Sequence, residues 1–198
     1  KSALDGAKLA VEQANAKGGV AGQKIELVVY DDQAVAKEAV PSATKMVERD
    51  KVVVAVSGSY SGSTRAAASI FQNAKIPYVV AYAIHPDITL AGDYMFRVSS
   101  MGEVQGRGGA KWVQNLGTKR PVLITVKNDF GQALAAGFRD AAPKLGINIV
   151  NEYEYAMPDR QFGALVSKVK SDNPEVIYAS GYFYTAAATV RALPQDGI

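Results

Sequence analysis

The sequence predicts an α/β fold built on parallel sheets, and three observations predict it. Seven short apolar runs recur along the chain, each bounded by turn residues: "KIELVVY" (24–30), "KVVVAV" (51–56), "IPYVVA" (76–81), "YMFRVS" (94–99), "PVLITV" (121–126), "INIVNEY" (147–153) and "EVIYAS" (175–180). Most are continuous rather than alternating, as strands covered on both faces are. Between several of them lie apolar residues at helical spacing, and strands alternating with amphipathic helices make βαβ units.

Taken in order, the chain opens on a helix whose Ala3, Ala7, Ala10, Val11 and Ala14 share one face. The strand 24–30 ends at Asp31-Asp32, where two short carboxylates favour a turn and a cap for the next helix. That helix, in "AVAKEAVPSATKMVERD", contains Pro41, so it is kinked there or begins later than its pattern suggests. After strand 51–56 comes "VSGSYSGSTRAA" (56–67), and a helix runs on through Ile70, Phe71 and Ala74. Strands 76–81 and 94–99 follow, and a boundary falls at Ser99-Ser100-Met101-Gly102. "GEVQGRGGAKWVQNLG" keeps a helical period despite Gly102, Gly106, Gly108 and Gly109. A second strand–helix series then begins, with helical faces at Leu134, Phe138, Ala141 and Leu145, and at Phe162, Leu165, Val166 and Val169.

Composition narrows the function. The 198 residues are 48% hydrophobic and 21% charged, an ordinary globular balance. Lys+Arg number 22 against 19 Asp+Glu, and the basic residues are scattered singly, so no nucleic-acid footprint forms. There are no cysteines, which removes disulfides, thiolate metal sites and a Cys nucleophile. No run approaches the roughly 18 apolar residues of a membrane span, and "KSALDGAKLAVEQAN" does not read as a signal peptide.

The loop at 56–67 is the first candidate site. A Walker P-loop needs a lysine after its last glycine, but Ser63 follows Gly62. A nucleophile elbow needs serine at the centre of G-x-S-x-G, and Tyr60 stands there. A triad would need a histidine, and the single one is His85, before Pro86. Two readings remain open: Ser63 or Thr64 simply caps the helix, or the hydroxyls and free N–H groups of its first turn hold a carboxylate. Asp31-Asp32 lacks a third ligand at useful spacing, so no metal site is expected. "VKNDFGQA" (126–133) and "ASGYFYTAA" (179–187) are further strand-to-helix turns. Phe130 and Tyr182 lie there, at the strand edge where α/β proteins bind ligands. Tyr182, Phe183 and Tyr184 are consecutive, so they cannot all be core.

Together these residues resemble the type I periplasmic solute-binding proteins of ABC transporters, especially the leucine/isoleucine/valine-binding group. The stretches that carry the resemblance are "GAKLAVEQANAKGGVAGQKIELVVYDD" (6–32), "GSYSGSTRAAASIFQNAKIPYV" (58–79), "NDFGQALAAGFRDAAPKLG" (128–146) and "FGALVSKVKSDNPEVIYASGYF" (162–183). The resemblance implies two Rossmann-like lobes that close on a solute held between them, and no chemistry on it. It implies no enzyme activity, cofactor or metal. It implies a periplasmic location and a membrane permease as partner. The alternative is a ligand-sensing regulator or receptor domain of the same fold.

The implied site maps residue by residue. The serine loop that holds the ligand carboxylate falls on Ser61 to Thr64, with Ser63 and Thr64 as its hydroxyls and Tyr60 alongside. The segment whose carbonyl and hydroxyl take an α-amino group falls on Tyr82, Ala83 and Ile84. The second-lobe aromatic walls fall on Phe130 and Tyr182. Ile84 replaces a threonine hydroxyl usual in leucine binders, Tyr82 a small residue, and Phe130 a tyrosine. These departures favour an aliphatic or aromatic carboxylate over an α-amino acid. The resemblance places residues 1–100 in lobe one without its first strand and 101–198 in part of lobe two. The chain therefore reads as truncated at both ends, and as aggregation-prone when expressed alone.

Overall fold

A computed structural model of the protein describes residues 2–192. The chain divides into two compact units, Lys1–Ala83 with Asp87–Ser99 and Ile84–Pro86 with Ser100–Ile198.

The first unit contains α1 (Ser2–Ala16), α2 (Ala36–Glu48), β1 (Ala55–Val56), α3 (Ser61–Asn73), β2 (Tyr78–Val80), α4 (Asp87–Leu90) and β3 (Met95–Arg97). Its strands form a parallel sheet in the order β1-β2-β3, with Ala55 opposite Tyr78 and Tyr78 opposite Met95. The core is made by Ala39 and Ala43 of α2, Ala67, Ala68 and Phe71 of α3, and Tyr78 and Val80 of β2. Small residues on α2 and α3 let the two helices pack together, and the Phe71 and Tyr78 rings meet at 4.6 Å.

Four expectations are corrected here. The stretch 24–30 is not a strand: a strand is a paired element, and no ladder reaches it among the described residues. Instead the Asn15 side chain takes both main-chain groups of Ile25, donating to its carbonyl at 2.8 Å and accepting from its N–H at 2.7 Å. The strand expected over 51–56 pairs only at Ala55–Val56, and Val53 on the unpaired side is 84% exposed. Helix α2 does not begin after Pro41 but runs through it from Ala36. Asp31 and Asp32 do form turns, accepting from Gln33 and Ala34 N–H at 2.9 Å each, yet neither caps α2.

The second unit contains α5 (Gly102–Asn115), β4 (Pro121–Val126), α6 (Asp129–Ala141), a 3-10 turn at Pro143–Leu145, β5 (Asn151–Tyr155), α7 (Gly163–Asp172), β6 (Val176–Ser180) and α8 (Phe183–Ala192). The parallel sheet runs β5-β4-β6, so β4 is central and buried along its whole length. Side chains alternate across a strand. Leu123 therefore joins Ala110, Val113 and Phe138 on one face, while Val122, Ile124 and Val126 join Phe162, Val166 and Val169 on the other. A continuous apolar run is what a strand with two covered faces requires.

Two glycines of α5, Gly106 and Gly109, are explained by packing. A Cβ on Gly106 would lie 2.0 Å from the Leu134 carbonyl oxygen, and one on Gly137 of α6 would lie 2.1 Å from that of Glu103. One on Gly109 would strike the Tyr178 ring at 2.4 Å. Helices α5 and α6 thus touch backbone to backbone, which only glycine permits.

Candidate functional site

In the first unit the candidate residues lie in the loops that leave the C-terminal ends of β1 and β2. Ser57 ties these loops together: its hydroxyl donates to the Gly58 carbonyl at 3.0 Å and accepts from Ala81 N–H at 3.1 Å. Tyr60 is the N-cap residue of α3, in extended conformation, and contributes no side-chain cap. Ser63 and Thr64 are not caps either, because the helix begins at Ser61, before them; Ser63 donates back to the Tyr60 carbonyl at 3.3 Å. Ser61, Ser63 and Thr64 are all buried in this first turn. The Thr64 hydroxyl makes no hydrogen bond of normal geometry. The neighbouring Tyr78 hydroxyl is pushed above its ordinary pKa by burial, and its contact with Thr64 opposes that shift.

The segment after β2 sorts its three carbonyls clearly. Ala83 O accepts from Arg97 Nη1 at 2.6 Å and from the Ser99 hydroxyl at 3.0 Å. Ile84 O accepts from Gly102 N–H at 2.8 Å, with Ile84 grouped in the second unit. The Tyr82 carbonyl receives no donor from the described residues, and the Tyr82 side chain is 56% exposed. Of the three residues, Tyr82 is the one left with an acceptor to offer. Burial lowers the Arg97 pKa, and the guanidinium holds the loop by reaching both Ala83 O and the Thr89 hydroxyl.

In the second unit three loops converge at the C-terminal edge of the sheet, one after each of β4, β5 and β6. Asn128 caps α6, accepting from Gly131 N–H at 3.0 Å, and its amide donates to the Tyr182 hydroxyl at 3.2 Å. The Phe130 and Tyr182 rings stack at 4.9 Å and 17°. Tyr182 also stacks on Tyr184, at 5.4 Å and 7°, and the Arg160 guanidinium carbon lies 5.8 Å over the Tyr184 ring. Of the three consecutive aromatics Phe183 is the exposed one, at 85%. Below them the Tyr155 and Thr185 hydroxyls bond at 2.7 Å, and a Cβ on Gly181 would meet the Tyr155 hydroxyl at 2.0 Å.

The structure therefore gathers Tyr60, Ser61, Ser63 and Thr64 at one helix end, and Phe130 with Tyr182 in one stack. Sequence reasoning missed Asn128 as the link to Tyr182, Arg97 as the clamp on Ala83, and Arg160 with Tyr184 as the end of the stack. The aromatic triplet flagged Tyr184, but nothing in "MPDRQ" marks Arg160. No group of three or more His, Cys, Asp or Glu among the described residues could hold a metal ion. No helix of the described residues is long and apolar enough to cross a membrane.

A family model described as periplasmic binding protein matches residues 1–198. The chain is similar to an amino acid binding protein of Pseudomonas aeruginosa, 33% identical over 98% of this chain and 52% of that protein. It is also similar to the Leu/Ile/Val-binding protein of Escherichia coli, 30% identical over 98% of this chain and 53% of the other. Among solved structures, it resembles the branched-chain amino acid transporter substrate binding protein LivJ of Streptococcus pneumoniae in complex with isoleucine. There the TM-score is 0.87 at 30% identity, over 94% of this chain and 54% of that one. The chain spans about half the length of these relatives.

Proposed function

From the premise that the chain belongs to the periplasmic binding protein family, we propose that it captures a small carboxylate and delivers it to an ABC transporter permease. Capture is a hinge-type closure in the periplasm rather than catalysis, and the solute is a branched-chain amino acid or a similar aliphatic or aromatic acid. The observation that carries this reading is the first turn of α3. Its N-cap residue supplies no side-chain acceptor, and three hydroxyl residues are buried in that turn. Helix starts carry partial positive charge and unsatisfied N–H groups, which suits a carboxylate. The contrast with α6 is direct, because there Asn128 already fills the equivalent place.

The amine side is poorer. Ile84 has no hydroxyl, and the Ala83 and Ile84 carbonyls are already engaged. Of these three carbonyls that of Tyr82 is the one with no donor from the described residues, and each hydrogen bond to a charged group contributes about 1.5–3 kcal/mol. 4-Methylpentanoate, which is leucine without its amino group, is expected to bind the complete protein at least as tightly as leucine. Titration calorimetry of both solutes checks this. A clear preference for leucine would show that the amino group is recognised.

A further inference from the structure

Two pairs of buried hydroxyls tie the strand ends of the second unit together. Ser180 donates to Thr125 Oγ1 at 3.0 Å, bonding β6 to β4, and the Tyr155 and Thr185 hydroxyls meet at 2.7 Å. The second pair spans further, because β5 and β6 lie on opposite sides of β4. Tyr155 ends β5 and Thr185 stands in the first turn of α8, so their bond links β5 to the helix that follows β6. Thr185 also bonds the Tyr182 carbonyl twice, from its main-chain N–H at 3.0 Å and from its hydroxyl at 2.9 Å. A threonine hydroxyl has one proton to donate and two lone pairs that accept. With that proton on the Tyr182 carbonyl, Thr185 Oγ1 accepts from Tyr155, and a chain of donors runs from Tyr155 through Thr185 to the main chain of Tyr182. Burial raises the Tyr155 pKa and keeps the phenol a donor. Its ring sits edge-on against Phe162 at 5.3 Å, and Gly181 crosses so close that a Cβ there would lie 2.0 Å from the Tyr155 hydroxyl. Tyr155 and Thr185 are only 7% and 1% exposed, so water does not compete for their bond.

Tyr182 is thereby held at both ends, its main chain by Thr185 and its hydroxyl by the Asn128 amide at 3.2 Å. We propose that Tyr155 and Thr185 are positioning residues, which set the Tyr182 ring for the solute without touching the solute themselves. This rests on the solute-binding reading above, with Tyr182 as one of its aromatic contacts. A buried and fully paired polar network specifies one arrangement of the groups it joins. The alternative is a pair that only seals β5 to α8 and is indifferent to the solute.

Calorimetry of the complete protein with benzoate and 4-methylpentanoate separates these cases, using the native protein, Y155F, T185V, T185S, Y182L and the double variant Y155F/Y182L. Y155F and T185V each remove one hydroxyl and keep the shape of the side chain, and both are expected to weaken binding at least threefold. T185S, which keeps the hydroxyl, should stay within twofold of the native protein, and this contrast is readable whatever Y182L does. Y182L should weaken binding as well, and Y155F should then add nothing to that loss, since residues that act through one another are not additive. Melting temperatures of the variants report separately what the pair contributes to the fold. If Y155F and T185V bind as the native protein does, or Y155F costs as much without Tyr182 as with it, the pair is only a seal; its positioning role is then wrong and the solute reading stands. If neither acid binds the native protein, the solute reading itself fails and takes this inference with it.

Discussion

Asn128 does two jobs with one side chain. Its oxygen satisfies an N–H at the start of α6, and its nitrogen fixes the Tyr182 hydroxyl, so the helix end and the aromatic stack depend on one residue. Replacing an N-cap asparagine by alanine costs about 1 kcal/mol, and here the Tyr182 contact is lost as well. Asn128→Ala should therefore destabilise the second unit by about 1–2 kcal/mol in urea denaturation. Asn128→Ser, which can still cap but cannot reach Tyr182, should recover most of the stability while leaving Tyr182 less ordered. At this scale the sequence was legible wherever a residue acts on its own neighbours. Asn128 as a cap and the Asp31-Asp32 turn follow from local chemistry. Arg97 and Arg160 were not legible, because each acts on a group far along the chain that only the fold brings near.

Among the elements, α5 is the one whose sequence looks least suited to its structure. Four glycines in a helix weaken it, by up to about 1 kcal/mol each relative to alanine, unless contact requires them. Gly106 is required by α6, but nothing lies within 4 Å of a Cβ built on Gly108. Gly108→Ala should accordingly raise stability by up to about 1 kcal/mol, and Gly106→Ala should lower it by about 1–3 kcal/mol through forced separation of the helices. Thermal denaturation of the two variants checks both signs. The helical period of α5 was legible in the sequence, whereas the reason for its glycines was not. The same division explains the strands. "PVLITV" was legible because its burial on both faces is written in its own composition. "KIELVVY" has an equally apolar composition but no partner among the described residues, and pairing is a property of two segments rather than one.

Over the whole molecule, strands with intervening helices sort into two parallel sheets, one in each unit. In both units the candidate side chains stand in loops leaving the C-terminal ends of strands, the edge at which open α/β sheets hold ligands. In the first unit the N-cap side chain of α3 makes no cap and three hydroxyl residues are buried in the first turn, and the second unit holds an aromatic stack ending in a guanidinium. Among the described residues no group of three or more His, Cys, Asp or Glu could hold a metal ion. The most direct check is the identity of the solute carried by the complete protein after gentle purification, read by mass spectrometry of the small molecules released on denaturation. The expected solute is a small carboxylate, apolar or aromatic in its body and without an essential α-amino group. Release of a sugar, a nucleotide or another solute lacking a carboxylate would contradict it.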